Sequence, residues 1–301
     1  MSSRVVSFLL FASIARAELK LYEAVEPHMG TLFKIQLYAQ RPEDARVAFS
    51  LAFARITQLD NTLSDYSPSS ELSTMCRVAV IKPAHVSDEL YAVLQASQDL
   101  AYKSNGAFDI TVGPLTRLWR EARRTGQVPD ASAVAAARLK CGYRKLHLDG
   151  ATHQMRLDER EMRLDVGGIA KGYAADQALM LIGMRGIRSA LVAASGDLAF
   201  SDPPPGQKGW KIGIPGGKTL VLRNAAVSTS GDWEQHMDAG GKRYSHILNP
   251  WTGQALTDSV TVTVIAPKGI EADGLATLLS VVGEDKGRPL LRKGVTALYS
   301  R

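Results

Sequence analysis

Asp273 and Thr277 stand four residues apart in a stretch that reads as helix from Glu271 to Val282. That spacing turns a carboxylate and a hydroxyl to one helix face. With waters and phosphate oxygens completing the shell, such a pair is an ordinary environment for a hard cation. The same two residues equally suit a helix start, with Asp273 stabilising the first turn and Thr277 bonding back to the main chain. A second segment, Asp165-Val166-Gly167-Gly168-Ile169-Ala170-Lys171-Gly172, enters another expected helix. Its glycines permit close approach of a ligand to the backbone. Free amides at the helix start favour anions, and Lys171 lies within reach of a phosphate. The segment matches neither the Walker A pattern nor G-x-G-x-x-G, and a tight strand-to-helix turn with a surface lysine explains it as well.

His246 follows a tyrosine-containing strand and precedes the turn signal Asn249-Pro250. A histidine there suits general base work at neutral pH, or a structural hydrogen bond. Ala107-Phe108-Asp109 follows the helix stop Asn105-Gly106; it offers an aromatic and an acid to a heterocycle, or a core side chain and a turn aspartate. Ser195-Gly196-Asp197 and Ser230-Gly231-Asp232 read first as turns. The histidines form no zinc spacing, the cysteines no C-x-x-C, and Gly-x-Ser-x-Gly is absent. Taken in order, the Ala107, Asp165, His246 and Asp273 segments point to phosphoryl-transfer chemistry on a dinucleotide.

These groups need a frame. The chain has 301 residues, 45% hydrophobic and 22% charged, enough for a full core. No linker, repeat or low-complexity tract divides it, so one domain over residues 18–301 is expected. Residues 1–17 read as a signal peptide: Arg4, the apolar run Val5 to Ile14, then Ala15-Arg16-Ala17. An exported, periplasmic location follows, with inner-membrane association left open. Cys76 and Cys141 are too few for a disulfide framework. The net charge of +6 is dispersed except at Arg117, Arg120, Arg123 and Arg124, whose spacing suits a solvated helix face or attraction to an anion. No basic helix with interleaved aromatics speaks for nucleic acid.

Leu32 to Tyr38 alternates, with Phe33, Ile35 and Leu37 on one face, as a half-buried strand does. Helices are expected from Pro42 to about Leu59, from Ser87 to Asn105, from Ile169 to Met184 and from Glu271 to Val282. Hairpins are expected around Asp149-Gly150 and around Pro215-Gly216-Gly217-Lys218, with further strands at Ser189 to Ala194 and Val260 to Ile265. Hairpins interrupted by helices define an α+β class, a single domain of antiparallel or mixed sheets with packed helices.

The ensemble resembles the ApbE-type family of FAD:protein FMN transferases. The resemblance spans roughly residues 20 to 290. It is carried by His28-Met29-Gly30-Thr31, Leu63-Ser64-Asp65-Tyr66, Ser70-Glu71-Leu72, Gly106 to Asp109, Asp165 to Asp176, Ser228 to Asp232, Ser245 to Gly253 and Ala272 to Thr277. It implies an ApbE-like fold and a magnesium-dependent reaction. The FMN part of FAD would pass to a Thr or Ser hydroxyl of a partner protein, a respiratory or electron-transfer component, with release of AMP. It implies that Met29, Tyr66, Ala107, Phe108, Asp109, Asp165, Lys171 and Ile247 line the FAD site. Asp273, Thr277 and the carbonyl of Gly168 would hold Mg²⁺, and His246 would act on the acceptor hydroxyl. Hydrolysis of FAD to FMN and AMP by the same groups, and flavin carriage without catalysis, are the alternatives.

Overall fold

The computed structural model describes residues 18–231, 235–258 and 260–300; the expected signal peptide lies outside them. The chain opens with a hairpin of β1 (Lys20–His28) and β2 (Thr31–Ala39). It then leaves the sheet for α1 (Pro42–Leu63), α2 (Glu71–Val78), β3 (Ala84–His85), α3 (Asp88–Lys103), α4 (Gly113–Thr125), α5 (Ala131–Leu139), β4 (Leu146–Asp149), β5 (Gln154–Leu157) and α6 (Ala170–Met184). It returns as β6 (Ala190–Ala194) and β7 (Asp197–Phe200), followed by β8 (Trp210–Ile214), β9 (Lys218–Leu222) and β10 (Ala225–Ser230). The last elements are β11 (His236–Ala239), β12 (Lys242–Ser245), β13 (Thr261–Ala266), α7 (Gly269–Gly287) and β14 (Thr296–Ser300).

Seven strands form the main sheet in the order β1-β2-β6-β7-β10-β13-β14. Every ladder in it is antiparallel. β2 behaves as its alternation predicts: Phe33, Ile35 and Leu37 are fully buried. They share one helix-covered core with Ile56 and Leu59 of α1, Ala174 and Ala178 of α6, and Leu278 and Leu279 of α7. The other face of the sheet is closed by the β8–β9 hairpin, where Trp210 and Ile212 pack on Phe200 and Val227. A third cluster, around Leu115, Trp119, Val134 and Leu248, joins α4 and α5 to the β11–β12 region. There the Trp119 indole N–H donates to the Gly253 carbonyl at 2.9 Å.

The α+β class holds, and the sheets are antiparallel rather than mixed; the one parallel pairing among the described residues is the isolated bridge Val112–Arg163. Three boundaries depart from the sequence expectation. α1 continues past Leu59 because Leu63 is also buried, and it ends where the Ser64 N–H closes on the Asp60 carbonyl. α2 has only eight residues, too few for a convincing period, yet the Ser70 hydroxyl caps it by accepting from the Ser73 N–H at 3.0 Å. α7 runs from Gly269 to Gly287 and breaks at Gly283, whose φ of 74° no helix accommodates.

Candidate active site

The helix α7 is placed by two contacts with α6. The Asp176 carboxylate accepts from the N–H groups of Gly269 and Ile270, at 2.7 and 3.0 Å, capping the start of α7. Backbones then touch: a Cβ on Gly172 would lie 2.1 Å from the Gly269 carbonyl oxygen. At this crossing Asp273 is 2% exposed, and its Oδ2 accepts from the Gly172 N–H at 2.9 Å. Burial, and then the charge of Asp197, push its carboxyl up to about 7. One turn on, the Thr277 hydroxyl stands 3.5 Å from the Gly168 carbonyl. A Cβ on Gly168 would sit 2.8 Å from that hydroxyl, so the glycine is what brings loop and helix together. Thr277 thus meets the Gly168 carbonyl, Asp273 meets the Gly172 N–H four residues further on, and all three of Gly168, Asp273 and Thr277 line the same space.

Asp165 turns the glycine loop. Its Oδ1 accepts from the Gly167 N–H at 2.9 Å, and its Oδ2 pairs with Arg120 at 3.3 Å. Lys171 pairs with Asp197 at 2.9 Å, and the Ser228 hydroxyl donates to the other Asp197 oxygen. Asp65 shares Arg120 with Asp165. Burial and the charge of Asp165 push Asp65 up to about 6 despite the arginine. The Arg120 guanidinium lies 3.9 Å from the centre of the Tyr66 ring, which is otherwise 72% exposed at the rim.

Ala107 and Phe108 are buried in the wall. Asp109 lines the same space, but both its oxygens are engaged: Oδ1 accepts from the Thr111 N–H and hydroxyl, and Oδ2 from the Tyr143 N–H. These bonds make its carboxylate a brace for the loop. Met29 enters at a left-handed φ of 49°, with its N–H donating to Asp60 at 2.9 Å. Beyond β12, the His246 Nδ1 lies 3.2 Å from the Gln235 carbonyl. With Nδ1–H as the donor, Nε2 is left as an acceptor toward the cleft. Burial lowers the pKa of the ring; the Gln235 carbonyl acts the other way, and the charges of Lys171 and Arg123 lower it further. Ile247 is buried beside it. Asp232 lies outside the described residues.

Met29, Asp65, Tyr66, Ala107, Phe108, Asp109, Arg120, Asp165, Gly168, Lys171, Asp197, His246, Ile247, Asp273 and Thr277 all line one cleft of about 950 Å³. The sequence did not single out Asp65, Asp197 or Asp176 as individual groups. It read the α4 arginines as one face, whereas the structure divides them. Arg117 and Arg124 are exposed; Arg120 and Arg123 line the cleft. The only signal was their spacing of one turn, which is silent about direction.

The fold and cleft define a single-domain α+β protein with one dinucleotide-sized site, walled by apolar and aromatic groups and edged by cations and buried carboxylates. The sequence profile of the ApbE family matches residues 29–299. The FAD:protein FMN transferase of Treponema pallidum (strain Nichols) is 34% identical over 309 aligned positions, covering 94% of this chain and 85% of that protein. Among solved structures, the apo flavinyl transferase ApbE of Pseudomonas stutzeri superposes with a TM-score of 0.81 at 31% identity, over 93% of this chain and 91% of that one. The flavin transferase ApbE of Vibrio cholerae does so with a TM-score of 0.83 at 29% identity, over 94% of each chain. The chain belongs to the ApbE family.

Proposed function

We propose that this protein is a magnesium-dependent flavin transferase, moving the FMN part of FAD to a Thr or Ser hydroxyl of a partner protein. One observation carries the reading: Asp273, Thr277 and Gly168 share a single dinucleotide-sized cleft with the His246 ring, whose Nδ1 is held at the Gln235 carbonyl. The names borne by the relatives support the flavin half of it.

The donor set fits magnesium. A carboxylate, a hydroxyl and a main-chain carbonyl are hard oxygens. Among the described residues, no three His, Cys, Asp or Glu side chains gather as a metal group. The cation would therefore depend on substrate phosphates to complete its shell. Asp273, Thr277 and Gly168 would hold it, and when bound it supplies neutralisation of the diphosphate charge. The chain's own groups do the rest. Met29, Tyr66, Ala107, Phe108 and Ile247 wall in the flavin nucleotide, Asp109 braces that wall, and Asp165 and Lys171 shape its phosphate end. His246 takes the proton of the acceptor hydroxyl. That oxygen bonds to the FMN phosphorus as the bond from phosphorus to the bridging oxygen breaks, and AMP departs with the electron pair. An exported, periplasmic setting with an electron-transfer partner completes the proposal. No helix among the described residues is long and apolar enough to cross a membrane.

The test incubates the protein with FAD and Mg²⁺, with and without an acceptor domain. It follows AMP release and flavin fluorescence of the denatured acceptor. Covalent labelling that needs FAD, Mg²⁺ and the acceptor hydroxyl is expected, and Asp273→Ala is expected to abolish it. AMP release without labelling would replace transfer with hydrolysis. FAD binding without AMP would leave a carrier, and unchanged turnover in Asp273→Ala would remove the metal role.

A further inference from the structure

The cations of the cleft are not alike. Lys171 is paired with Asp197, and Arg120 is held between Asp65 and Asp165. On the outside of α4, Arg124 is paired with Glu121. Arg123 is different. It stands one turn beyond Arg120, lines the cleft and is half-buried. It makes no hydrogen bond or ion pair with any of the described residues. Burial lowers its pKa, so the cost of drying it is left uncompensated; Tyr66, Arg120 and Asp165 are near enough to act on its charge. Its own charge acts on the His246 ring, as that of Lys171 does from the other side. An arginine does not give up its proton in a protein. The cleft therefore keeps a permanent, partly dehydrated guanidinium that Asp165 and Tyr66 offset only from a distance and that no hydrogen bond or ion pair from the described residues satisfies.

We propose that Arg123 grips the phosphate-bearing part of the dinucleotide, meeting it from α4 while the oxygen cluster of Asp273 and Thr277 meets it from α7. The inference rests on the dinucleotide reading of the cleft. A guanidinium fork matches phosphate oxygens two at a time, and such charge-assisted pairs are the strong ones. The position also suits the chemistry. The group that deprotonates a hydroxyl must lie beside the phosphorus under attack, and Arg123 lines the same cleft as that group, near enough for its charge to act on it. Charge spread over the oxygens of a transferring phosphoryl group is what an arginine stabilises best. The isoalloxazine carbonyls are neutral acceptors and give a guanidinium less than a phosphate does, and the riboflavin probe tells them apart. A carboxylate of the acceptor protein is the competing anion, and the experiment separates the two.

The probes are FAD, riboflavin and inorganic pyrophosphate, bound to the purified protein and to its Arg123→Met and Arg123→Lys variants. Methionine keeps the apolar stem and removes the charge. FAD should bind Arg123→Met about 10- to 100-fold more weakly, the range of a charged hydrogen bond. Riboflavin should bind unchanged. Pyrophosphate should lose affinity in step with FAD, and Arg123→Lys should fall between, since it keeps charge without the fork. The salt dependence of FAD affinity should flatten in Arg123→Met. The thermal midpoint of ligand-free Arg123→Met should be no lower than the parent's, since a partly dried charge has gone, which removes misfolding as the cause.

Unchanged FAD affinity in Arg123→Met would overturn the proposal. Equal weakening for FAD and riboflavin would overturn it too, making Arg123 a wall rather than an anion grip. A raised acceptor KM with FAD affinity intact would hand the arginine to a carboxylate of the acceptor. If the parent binds pyrophosphate but not FAD, and Arg123→Met loses pyrophosphate, the flavin reading fails and the phosphate grip stands.

Discussion

His246 lines the cleft with its ring still open to solvent. Its pKa is lowered by burial first, with Lys171 and Arg123 adding to the effect. A lowered value means that the base form persists to lower pH and is lost only as pH falls through that value. At saturating magnesium, the acid limb of kcat/KM for transfer should therefore lie below the ordinary imidazole value of about 6.5. His246→Gln should remove the limb together with most of the rate. A limb at or above the ordinary value, or one that survives His246→Gln, would deny the histidine its role as base. At this scale the sequence was readable where roles depend on local spacing. Asp273 and Thr277 fall on one face because they are four apart, and both line the cleft. Asp109 was readable as a cleft residue but not as a brace, because Tyr143, which completes its hydrogen bonds, is distant in the chain. Arg120 and Arg123 were visible as charges only; which side of α4 faces the cleft is decided by the burial of Leu115 and Trp119.

Between elements, the contact that places the site is the crossing of α6 and α7 at Gly172 and Gly269. Each helix removes a side chain there, and the resulting approach delivers the Gly172 N–H to Asp273. Gly172→Ala would drive a Cβ into the Gly269 backbone, which cannot rotate away as a flexible side chain would. Such overpacking costs about 1–3 kcal/mol. Urea unfolding should show that loss, and the magnesium concentration for half-maximal turnover should rise, because Asp273 moves with its helix. A variant with the parent's unfolding midpoint and magnesium response would show the crossing to be slack. Helices with long apolar periods and hairpins with Asp-Gly or Gly-Gly turns were legible in the sequence. The short α2 was not, since a single serine cap and eight residues carry little periodic signal. Nor was the break at Gly283, since glycine is compatible with helix until its φ is seen.

Over the whole molecule, the cleft gathers residues from the β1–β2 turn, α1, α4, α6, the β6–β7 turn, β10, the segment after β12, and α7. A ligand seated there bridges both ends of the chain, so binding should stabilise the domain as one unit. FAD with Mg²⁺ at a hundredfold excess over Kd should add about 2.7 kcal/mol. Calorimetry should then show a single transition moving to higher temperature. A transition that splits, with only part of it shifting, would mean that the regions around the cleft unfold separately. The strand order that produces this convergence was not legible: hairpins can be read from turns, but no local pattern says that β2 lies beside β6.

That neighbour relation bears on how the protein is made. Everything from Pro42 to Arg188 lies between β2 and β6 in the chain, although the two strands share a ladder from Phe33–Ala194 to Leu37–Ala190. On a ribosome the β1–β2 hairpin can close early, since its partners are adjacent. The inner edge of β2 must wait until α6 has emerged and β6 follows it. Closing so long a loop makes folding slow relative to its local steps. The last arrivals, His246, Asp273 and Thr277, come after most of the sheet has formed. A chain that ends before α7 lacks Asp273 and Thr277 and also Leu278 and Leu279, which help to close the core, so the oxygen groups and the packing that holds them arrive together, late in synthesis.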